Sequence, residues 1–538
     1  MEVVISPRHD VVIIGGGHNG LVCAFYLARA GLRSLVLERR PMIGGVAVTE
    51  EIHPGFHCPT LEHTVGPLTS GVARDLKLEN HGLKIVDPGA AVFVPMLDGR
   101  ALILERDSRQ SREAIAHIST TDASRYEEWQ NVIASMGPLL RQLLFTMPPD
   151  LDHRETGSAL PVLVAALSFY GLNRETRGRL LRWLTLPVAD LVEESFETDA
   201  LQAVLASRGL DGVGLGPREA GTGFLFLLHA AVAHHPLAPP TTAVGGPGAF
   251  TRALADAARA AGAEIRTSAT VERITTTDGG VRTVVLTSGE EIEAMTVVSN
   301  ADPKQTLLEF LSPEDLDPGF RMRLRTYRSG GTVAKVNVAL SDLPTFDSLR
   351  TISHDQCRSA LSGRIHVGPT LDYLDRAADA AKYGEHSREP ILDITIPSVA
   401  DESLAPAGRH VMSIRAQFAP YALRHVSWPE AREELAERIL RAVARYAPDL
   451  PSLVMHQQTL TPVDIATDYG LTGGHLRHGE LALDQLFSMR PLLGWARHRS
   501  PIRGLYLCGS GTHPGVGLTG ASGANASQAV LRDLRKLR

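Results

Sequence analysis

Residues 11–38 read VVIIGGGHNGLVCAFYLARAGLRSLVLE, and this stretch decides the fold. Its first four residues are apolar and β-branched, which is typical of a buried parallel strand. The glycine-rich turn 15–20 follows, and apolar residues at helical spacing then predict a helix that ends at Gly31. Residues 34–38 predict a second strand that ends in the carboxylate of Glu38. Strand, glycine turn, helix and strand in this order predict a dinucleotide-binding βαβ unit.

The residues of the turn each have a physical role in such a unit. Gly15 permits the tight turn, Gly17 lets the backbone approach a pyrophosphate, and Gly20 lets the helix pack closely on the strand. The helix begins at His18 and Asn19, where free N–H groups and the positive end of the helix dipole favour phosphate binding. We therefore expect these five residues to hold the ADP half of a cofactor.

The residues after the second strand distinguish between dinucleotides. Glu38 lies 18 residues after Gly20, where a carboxylate accepts hydrogen bonds from ribose hydroxyls. Arg39 continues the pattern, which ends in the pair Gly44-Gly45. This spacing favours FAD over NAD as the cofactor, and it adds Arg39 and both glycines to the predicted site.

A second glycine loop lies near the carboxyl end. The predicted strand 504–508 runs into a loop that feeds a helix expected to begin near Leu518 or Thr519. A helix N-terminus there suits an electron-rich group such as N1 and C2=O of a reduced flavin. The predicted contacts in this loop are Gly509, Ser510, Gly517, Leu518 and Thr519.

The cysteines and the net charge exclude several classes of protein. None of the four cysteines forms a C-x-x-C pair or a zinc-like cluster, so no redox disulfide and no metal site are expected. Cys508 is interpreted as a buried strand residue, so FAD is expected to be bound non-covalently. A net charge of −6 offers no basic footprint for nucleic acid. There is also no second strand–G-x-G-x-x-G–helix unit for a separate NAD(P)H domain.

Hydropathy gives an expectation about location. No secretory leader opens the chain, and the longest apolar stretches fall well short of the ~18 residues of a membrane span. We therefore expect a cytoplasmic protein, and peripheral contact with a membrane stays open.

The rest of the chain predicts a second domain. The expected fold is α/β: a Rossmann-like FAD-binding domain of the two-dinucleotide-binding type, with an α+β substrate domain built on an antiparallel sheet and a helical insertion. The FAD-binding domain is assigned residues 1–105, 241–303 and 491–538, and the substrate domain residues 106–240 and 304–490. Residues 332–340 alternate, with Lys335 and Asn337 opposite an apolar face, which predicts a half-buried strand.

Several motifs together resemble a known family. The chain is similar to the phytoene dehydrogenase-related FAD-dependent oxidoreductases, within the phytoene desaturase and flavin amine oxidase superfamily. Within them it is most similar to the group named for pyridine nucleotide-disulfide oxidoreductase domain-containing protein 2. The resemblance spans nearly the whole chain, and its motifs are Val11–Gly45, LTGGH at 471–475, HGE at 478–480, LDQL at 483–486, MRP at 489–491 and GTHPG at 511–515.

The resemblance implies further contacts and one departure. In such proteins the valine equivalent to Val271 contacts adenine through its backbone. Phytoene desaturases usually carry an acidic residue where this chain has Ser510, so that flavin contact differs here. No disulfide chemistry is implied, despite the name of the group. The chain also lacks a long apolar docking segment, which weakens the case for a carotene substrate.

The leading hypothesis for function is an FAD-dependent dehydrogenase or desaturase. It would transfer hydride from a hydrophobic or extended substrate to flavin N5, with oxygen or a quinone as the acceptor. His513 is the candidate for acid–base chemistry, because its loop is expected to reach the flavin. The alternatives are a flavin amine oxidase, a redox-neutral polyene isomerase on the same fold, and a flavin-bound scaffold for other proteins.

Overall fold

The computed structural model describes residues 9–86, 89–149 and 159–536. In these ranges the strands are β1 His9–Ile14, β2 Ser34–Leu37, β3 Thr49–His53, β4 Phe56–Pro59, β5 Ile85–Val86, β6 Val92–Pro95, β7 Ala101–Leu104, β8 Thr242–Ala243, β9 Glu264–Arg266, β10 Val271–Thr277, β11 Gly280–Leu286, β12 Glu291–Ser299, β13 Val333–Leu340, β14 Arg364–Val367, β15 Ile391–Thr395, β16 His410–Gln417, β17 Val454–Leu460 and β18 Leu505–Leu507.

The helices frame these strands. They are α1 His18–Arg29, α2 Ser70–Leu76, α3 Ser108–Ala116, α4 Thr120–Phe145, α5 Ala159–Gly171, α6 Arg174–Trp183, α7 Val188–Glu193, α8 Asp199–Ala206, α9 Thr222–Ala233, α10 Gly246–Ala260, α11 Pro318–Arg325, α12 His354–Ser362, α13 Leu371–Lys382, α14 Trp428–Ala444, α15 Leu450–Leu453, α16 Pro462–Tyr469 and α17 Ala521–Lys536.

The first sheet carries the predicted dinucleotide unit. Its order is β10-β11-β12-β1-β2-β9, and β18 pairs with β12. The strands β18, β12, β1, β2 and β9 run parallel, and β10 and β11 extend the sheet antiparallel. The helices α1, α10 and α17 pack on this sheet through one apolar cluster, so the sheet is buried as parallel sheets generally are. The fold is thus the predicted α/β arrangement.

The second sheet has the order β17-β13-β16-β15-β14-β6-β7. Its neighbouring strands are antiparallel, apart from the parallel pair β14 and β6. One face carries an apolar cross-strand row, Val336, Ile414, Ile394 and Ile365, which packs against α14. The helices α3 to α9 form the insertion, which packs against β6 and β7 through an apolar cluster that includes Trp129 and Val92. This gives the predicted α+β domain with a helical insertion.

Three details differ from the sequence-based expectations. Residues 92–104 were assigned to the FAD-binding domain, yet β6 and β7 pair within the second sheet, because β6 completes the edge of β14. The strand β13 was expected to be half-buried, but all eight of its residues are buried, since other elements cover its polar face. The last helix begins at Ala521 rather than near Leu518, which lengthens the preceding loop. The predicted domain ranges also include residues 1–8, 87–88, 150–158 and 537–538, which lie outside the described residues.

The lengths and compositions of the helices bear on membrane insertion. Within the ranges given above, no helix combines the length and hydrophobicity that a bilayer span requires.

Candidate functional site

The glycine turn has the geometry that its sequence predicted. Gly15 has a φ of +96°, a conformation that favours glycine. A Cβ on Gly20 would lie 2.2 Å from the Gly15 carbonyl oxygen, so only glycine lets α1 approach the turn this closely. A Cβ on Gly17 would lie 2.8 Å from Asn300 Nδ2. No side chain caps α1 at Gly17, so the first amide groups of this helix keep their N–H groups for a ligand.

Glu38 lies beside this turn at the end of β2. Its Oε2 accepts a hydrogen bond from the Gly16 amide, and its Oε1 accepts one from the Arg40 amide, both at 2.8 Å. These two bonds fix the carboxylate of Glu38, which is 6% exposed, at the rim of a cleft. Gly44 and Gly45 face the turn from the other side, with φ values of +129° and +60°.

The cleft gathers most of the residues predicted for the ADP half of FAD. Of the predicted residues, those lining it are Gly15, Gly17, His18, Glu38, Arg39, Gly44, Gly45, Val271 and Ser510. The remaining predicted residues, Asn19, Gly20, Gly509, Gly517, Leu518, Thr519 and His513, lie outside this lining. Of these, Asn19 Oδ1 accepts a hydrogen bond from the Gly523 amide at 3.4 Å, which ties α1 to α17.

Polar groups around the cleft fit a large polar ligand. His18 Nε2, His478 Nδ1 and Arg40 Nη1 are buried and form no hydrogen bond. Burial, followed by the charges of His478 and Arg477, lowers the pKa of His18 to about 3, so its imidazole is neutral. Buried donors and acceptors without partners are costly, and a bound dinucleotide would supply partners for them. The residues present therefore fit FAD.

A segment of the second domain closes over the cleft. The Tyr469 hydroxyl donates to Glu50 Oε2 at 2.6 Å, and the guanidinium of Arg40 lies 4.4 Å from the centre of the Tyr469 ring. Arg39 donates to the carbonyl of Thr467, in the last turn of α16. Both arginines of the Glu38-Arg39-Arg40 run thus hold α16 beside the cofactor cleft.

Arg490 organises the carboxyl-terminal loop. Its side chain is fully buried and donates to the carbonyl oxygens of Ser510, Glu480, Gln485, Arg477 and Gly479. Two of its nitrogens donate to Ser510, at 2.9 and 2.7 Å, which fixes the backbone of the residue that lines the cleft. A planar guanidinium can reach so many carbonyls at once, whereas an ammonium cannot.

The structure places His513 in a buried and neutral environment. Its Nε2 lies 3.0 Å from the carbonyl oxygen of Thr146, and its ring packs on Phe487 with centroids 5.8 Å apart. Burial, followed by the charge of His498, lowers the pKa of His513 to about 3. The imidazole thus donates to the end of α4, and its acid–base role stays a prediction.

The cysteine in the last strand region is also buried. Cys508 follows β18 directly, and burial followed by the neighbouring Cys23 raises its pKa well above the usual range. Its Sγ lies 3.9 Å from Asn300 Oδ1. This is the environment of a small packed residue, as the sequence suggested, and it does not favour a thiolate.

The second sheet has one polar face, and this face lies next to the cofactor cleft. A cross-strand row of four directly paired residues runs over it: Lys335, Arg415, Asp393 and His366. Glu62 lies beside this row. Its backbone amide donates to the carbonyl of Val46, and Val46 lines the cleft. Paired residues on neighbouring strands point to the same side, so the row forms a continuous polar floor.

Lys335 stands at one end of the polar floor. Its Nζ donates to Ser413 Oγ at 2.6 Å and contacts His63 Nε2. Burial, which is the main cause, lowers the pKa of Lys335 to about 7, and burial with the adjacent Lys335 holds the pKa of His63 well below its usual range. Lys335 can therefore hold or release a proton near neutral pH.

Charged residues from the insertion, together with Arg477, cover the floor. Asp211 pairs with Arg415 and, at 3.1 Å, with Arg477, which also lies 3.6 Å from Glu62. Arg208 lies 3.4 Å from Asp393. None of these residues, and none of the floor, was predicted as a site residue. Only for the floor did the sequence hold a signal, namely polar residues at alternate positions of the second-sheet strands. That signal is the same for a solvent-facing strand, because nothing in the sequence shows what covers a sheet.

A metal site is not indicated by the geometry. In the described part of the chain, no three His, Cys, Asp or Glu side chains are placed to hold a metal ion.

Comparison with known proteins identifies the family. The family model for FAD-dependent oxidoreductases (DAO) matches residues 10–529. Pyridine nucleotide-disulfide oxidoreductase domain-containing protein 2 of Rattus norvegicus is 36% identical over 553 residues, covering 99% of this chain and 95% of that protein. One of the subunits of limonene dehydrogenase from Castellaniella defragrans is 28% identical over 546 residues, covering 98% of this chain and 95% of that protein.

A solved structure shows the same fold at low sequence identity. Cyclohexylamine oxidase from Brevibacterium oxydans superposes with a TM-score of 0.55 at 14% identity, covering 98% of this chain and 100% of that one. The match over residues 10–529 and the cleft that fits FAD lead to one conclusion. The chain belongs to the DAO family of FAD-dependent oxidoreductases, and it is an FAD-binding enzyme.

Proposed function

We propose that this enzyme is a dehydrogenase that oxidises a carbon–hydrogen bond of an organic substrate bound between the flavin and the second sheet. The observation that carries the proposal is the buried polar floor beside the FAD cleft, with Lys335 at its end. When bound, FAD would supply a two-electron acceptor for the hydride lost by the substrate carbon, with oxygen or a quinone as the final acceptor. The naming of one relative as part of a limonene dehydrogenase agrees with this reaction class.

The protein groups have separate roles in this proposal. The predicted residues around Gly15, Glu38 and Gly44 bind the ADP half, and Arg490 orients the Ser510 loop through its carbonyl. Lys335 in its neutral form accepts the proton that accompanies hydride loss, because its pKa lies near 7 and its contacts His63 and Ser413 are neutral.

The polar floor bears on the substrate predicted from the sequence. A hydrophobic or extended body can rest on the adjacent apolar cluster of Leu61, Val333, Leu460 and Leu476. The floor itself favours a substrate that also carries a polar group. A purely hydrocarbon polyene would leave these charged side chains facing an apolar surface, which is costly.

An amine oxidase is the second candidate, because cyclohexylamine oxidase has this fold. Two observations weigh against it. The terminal loop 509–519 contains no Tyr, Trp or Phe that could flank a substrate amine. In addition, the arginines over the floor would repel an alkylammonium ion.

Anaerobic reduction of the purified holoenzyme tests the proposal. Bleaching of the flavin absorbance by C–H substrates, with a desaturated product of matching stoichiometry, is the expected result. Bleaching by amines alone would instead assign an amine oxidase. Double-bond isomerisation without bleaching would favour an isomerase, and failure to retain or bind FAD would refute the proposal entirely.

A further inference from the structure

The charged groups over the second sheet are unbalanced. Within the described residues, the network contains four arginines and three carboxylates, besides Lys335: Arg208, Arg364, Arg415 and Arg477 with Glu62, Asp211 and Asp393. Although burial opposes its ionisation, the charges of Arg415 and Arg477 hold the pKa of Asp211 well below the usual range. The charges of Arg364 and Arg208 do the same for Asp393. Even with Lys335 neutral, one positive charge lacks a compensating carboxylate.

Arg364 has unused hydrogen-bonding capacity. The residue is 5% exposed, and its Nη2 donates to the carbonyl of Leu237 at 3.1 Å. Its Nη1 lies 3.5 Å from Asp393, beyond good hydrogen-bonding geometry, and its Nε has no partner. The Nε atoms of Arg208, Arg415 and Arg477 are likewise buried without partners. Buried guanidinium donors without acceptors are costly, and an anion is the ligand that satisfies them.

Part of this network remains exposed to solvent. Asp393 and Arg415 lie on central strands, yet 19% and 15% of their side-chain surfaces are exposed to solvent. The middle of the floor is therefore not completely closed off by the residues that cover it. Arg477 lies between this network and the cofactor cleft, because it pairs with Asp211 while its neighbours Leu476 and His478 line that cleft.

We propose that Arg364 and Arg415 form a subsite for a carboxylate group of the substrate, which rests on the function proposed above. A carboxylate is planar and accepts two parallel N–H bonds from a guanidinium, so it matches the free Nε edges. A cation would meet the uncompensated positive charge, and a neutral amide would leave that charge unbalanced. The substrate would thus be an organic acid whose oxidised carbon lies toward Lys335 and the flavin.

Calorimetric titration of the FAD-loaded enzyme tests this subsite. The probes are hexanoate, hexanamide and hexylamine, which share an apolar tail and differ in charge. Hexanoate is expected to bind at least 10-fold tighter than hexanamide, with a change in flavin absorbance that places it near the ring. Equal binding of all three probes, or tighter binding of hexylamine, would overturn the subsite.

Substitutions of Arg364 test whether this residue binds hexanoate. Arg364→Gln should weaken hexanoate binding at least 10-fold and leave hexanamide binding and FAD content close to wild type, with a lower thermal midpoint because Leu237 and Asp393 lose a partner. Arg364→Lys should recover part of the loss, and exposed Arg109→Gln serves as the control. A purely structural role would lower stability without changing the preference for hexanoate. If the variants do not fold, the probe series on the wild-type enzyme still decides.

The two proposals fail in different ways. If the enzyme binds FAD and oxidises neutral substrates but does not bind hexanoate, the dehydrogenase function is supported and the subsite is refuted. If the enzyme binds hexanoate but no C–H substrate reduces its flavin, the subsite is supported and the dehydrogenase function is refuted.

Discussion

Replacing Gly20 with alanine tests the cofactor site where the geometry is most restrictive. The added Cβ would lie 2.2 Å from the Gly15 carbonyl oxygen and 3.3 Å from Cβ of Asn300. Ordinary contacts of a Cβ lie at 3.4–4 Å, so α1 and the turn must separate by about 1 Å. The Gly15 carbonyl belongs to the backbone of a buried βαβ unit, so no side-chain rotation can relieve this contact.

The energetic cost follows from this displacement. Overpacking in a core costs about 1–3 kcal/mol, and a contact between two backbone segments belongs at the upper end. Alanine regains about 1 kcal/mol of helix propensity, which leaves a net destabilisation of about 2 kcal/mol. The shifted turn also loses N–H contacts to phosphate, at about 1.5–3 kcal/mol for each charged hydrogen bond. We therefore expect FAD affinity to fall at least 10-fold.

The assay compares two alanine substitutions in helices of the same domain. Gly71 lies in α2 with no atom within 4 Å of an added Cβ, so Gly71→Ala should retain FAD and gain slight stability. Flavin content is read from the 450 nm absorbance of the purified proteins, and unfolding from the release of flavin fluorescence on heating. Wild-type FAD content and midpoint in Gly20→Ala would refute the packing argument.

Three further substitutions test the remaining groups. Arg490→Lys should destabilise the enzyme by about 3 kcal/mol, because several buried carbonyls lose their donor, and thermal unfolding at the wild-type midpoint would contradict this. Glu38→Gln should weaken FAD binding about 10-fold, since the amide cannot accept from both Gly16 and Arg40, and titration of the apoprotein measures it. Lys335 is protonated below its pKa of about 7, so flavin reduction should slow as pH falls through 7. In the Lys335→Met enzyme, flavin reduction should be slow and independent of pH near 7. A pH dependence that persists in this variant would assign the titration to another group.

The Lys335 pKa also affects stability in a defined window. Because its pKa in the folded state is about 7 and the ordinary value is 10.5, the unfolded chain binds more protons between these values. Stability should therefore rise with pH from about 7 to about 10 in the wild-type enzyme. The gain should be smaller in Lys335→Met.

The sequence by itself determined the cofactor half of this enzyme. The order of strand, glycine turn, helix and carboxylate over residues 11–38 specifies local backbone geometry, and Gly15, Gly20 and Glu38 act within one βαβ unit. Their roles follow from short-range sterics and hydrogen bonds, which a linear pattern records. The structure reproduces this unit with the predicted conformations.

Only the tertiary structure decided the substrate half. Lys335 and Asn337 alternate with apolar residues, and that pattern is the same for a solvent-facing strand and for one that lines an interior site. The burial of β13 and the pairing of Arg477 with Asp211 both depend on segments far apart in sequence. Charges shift pKa values and bind ligands through distance and desolvation, and both are set by the assembled fold rather than by the order of residues.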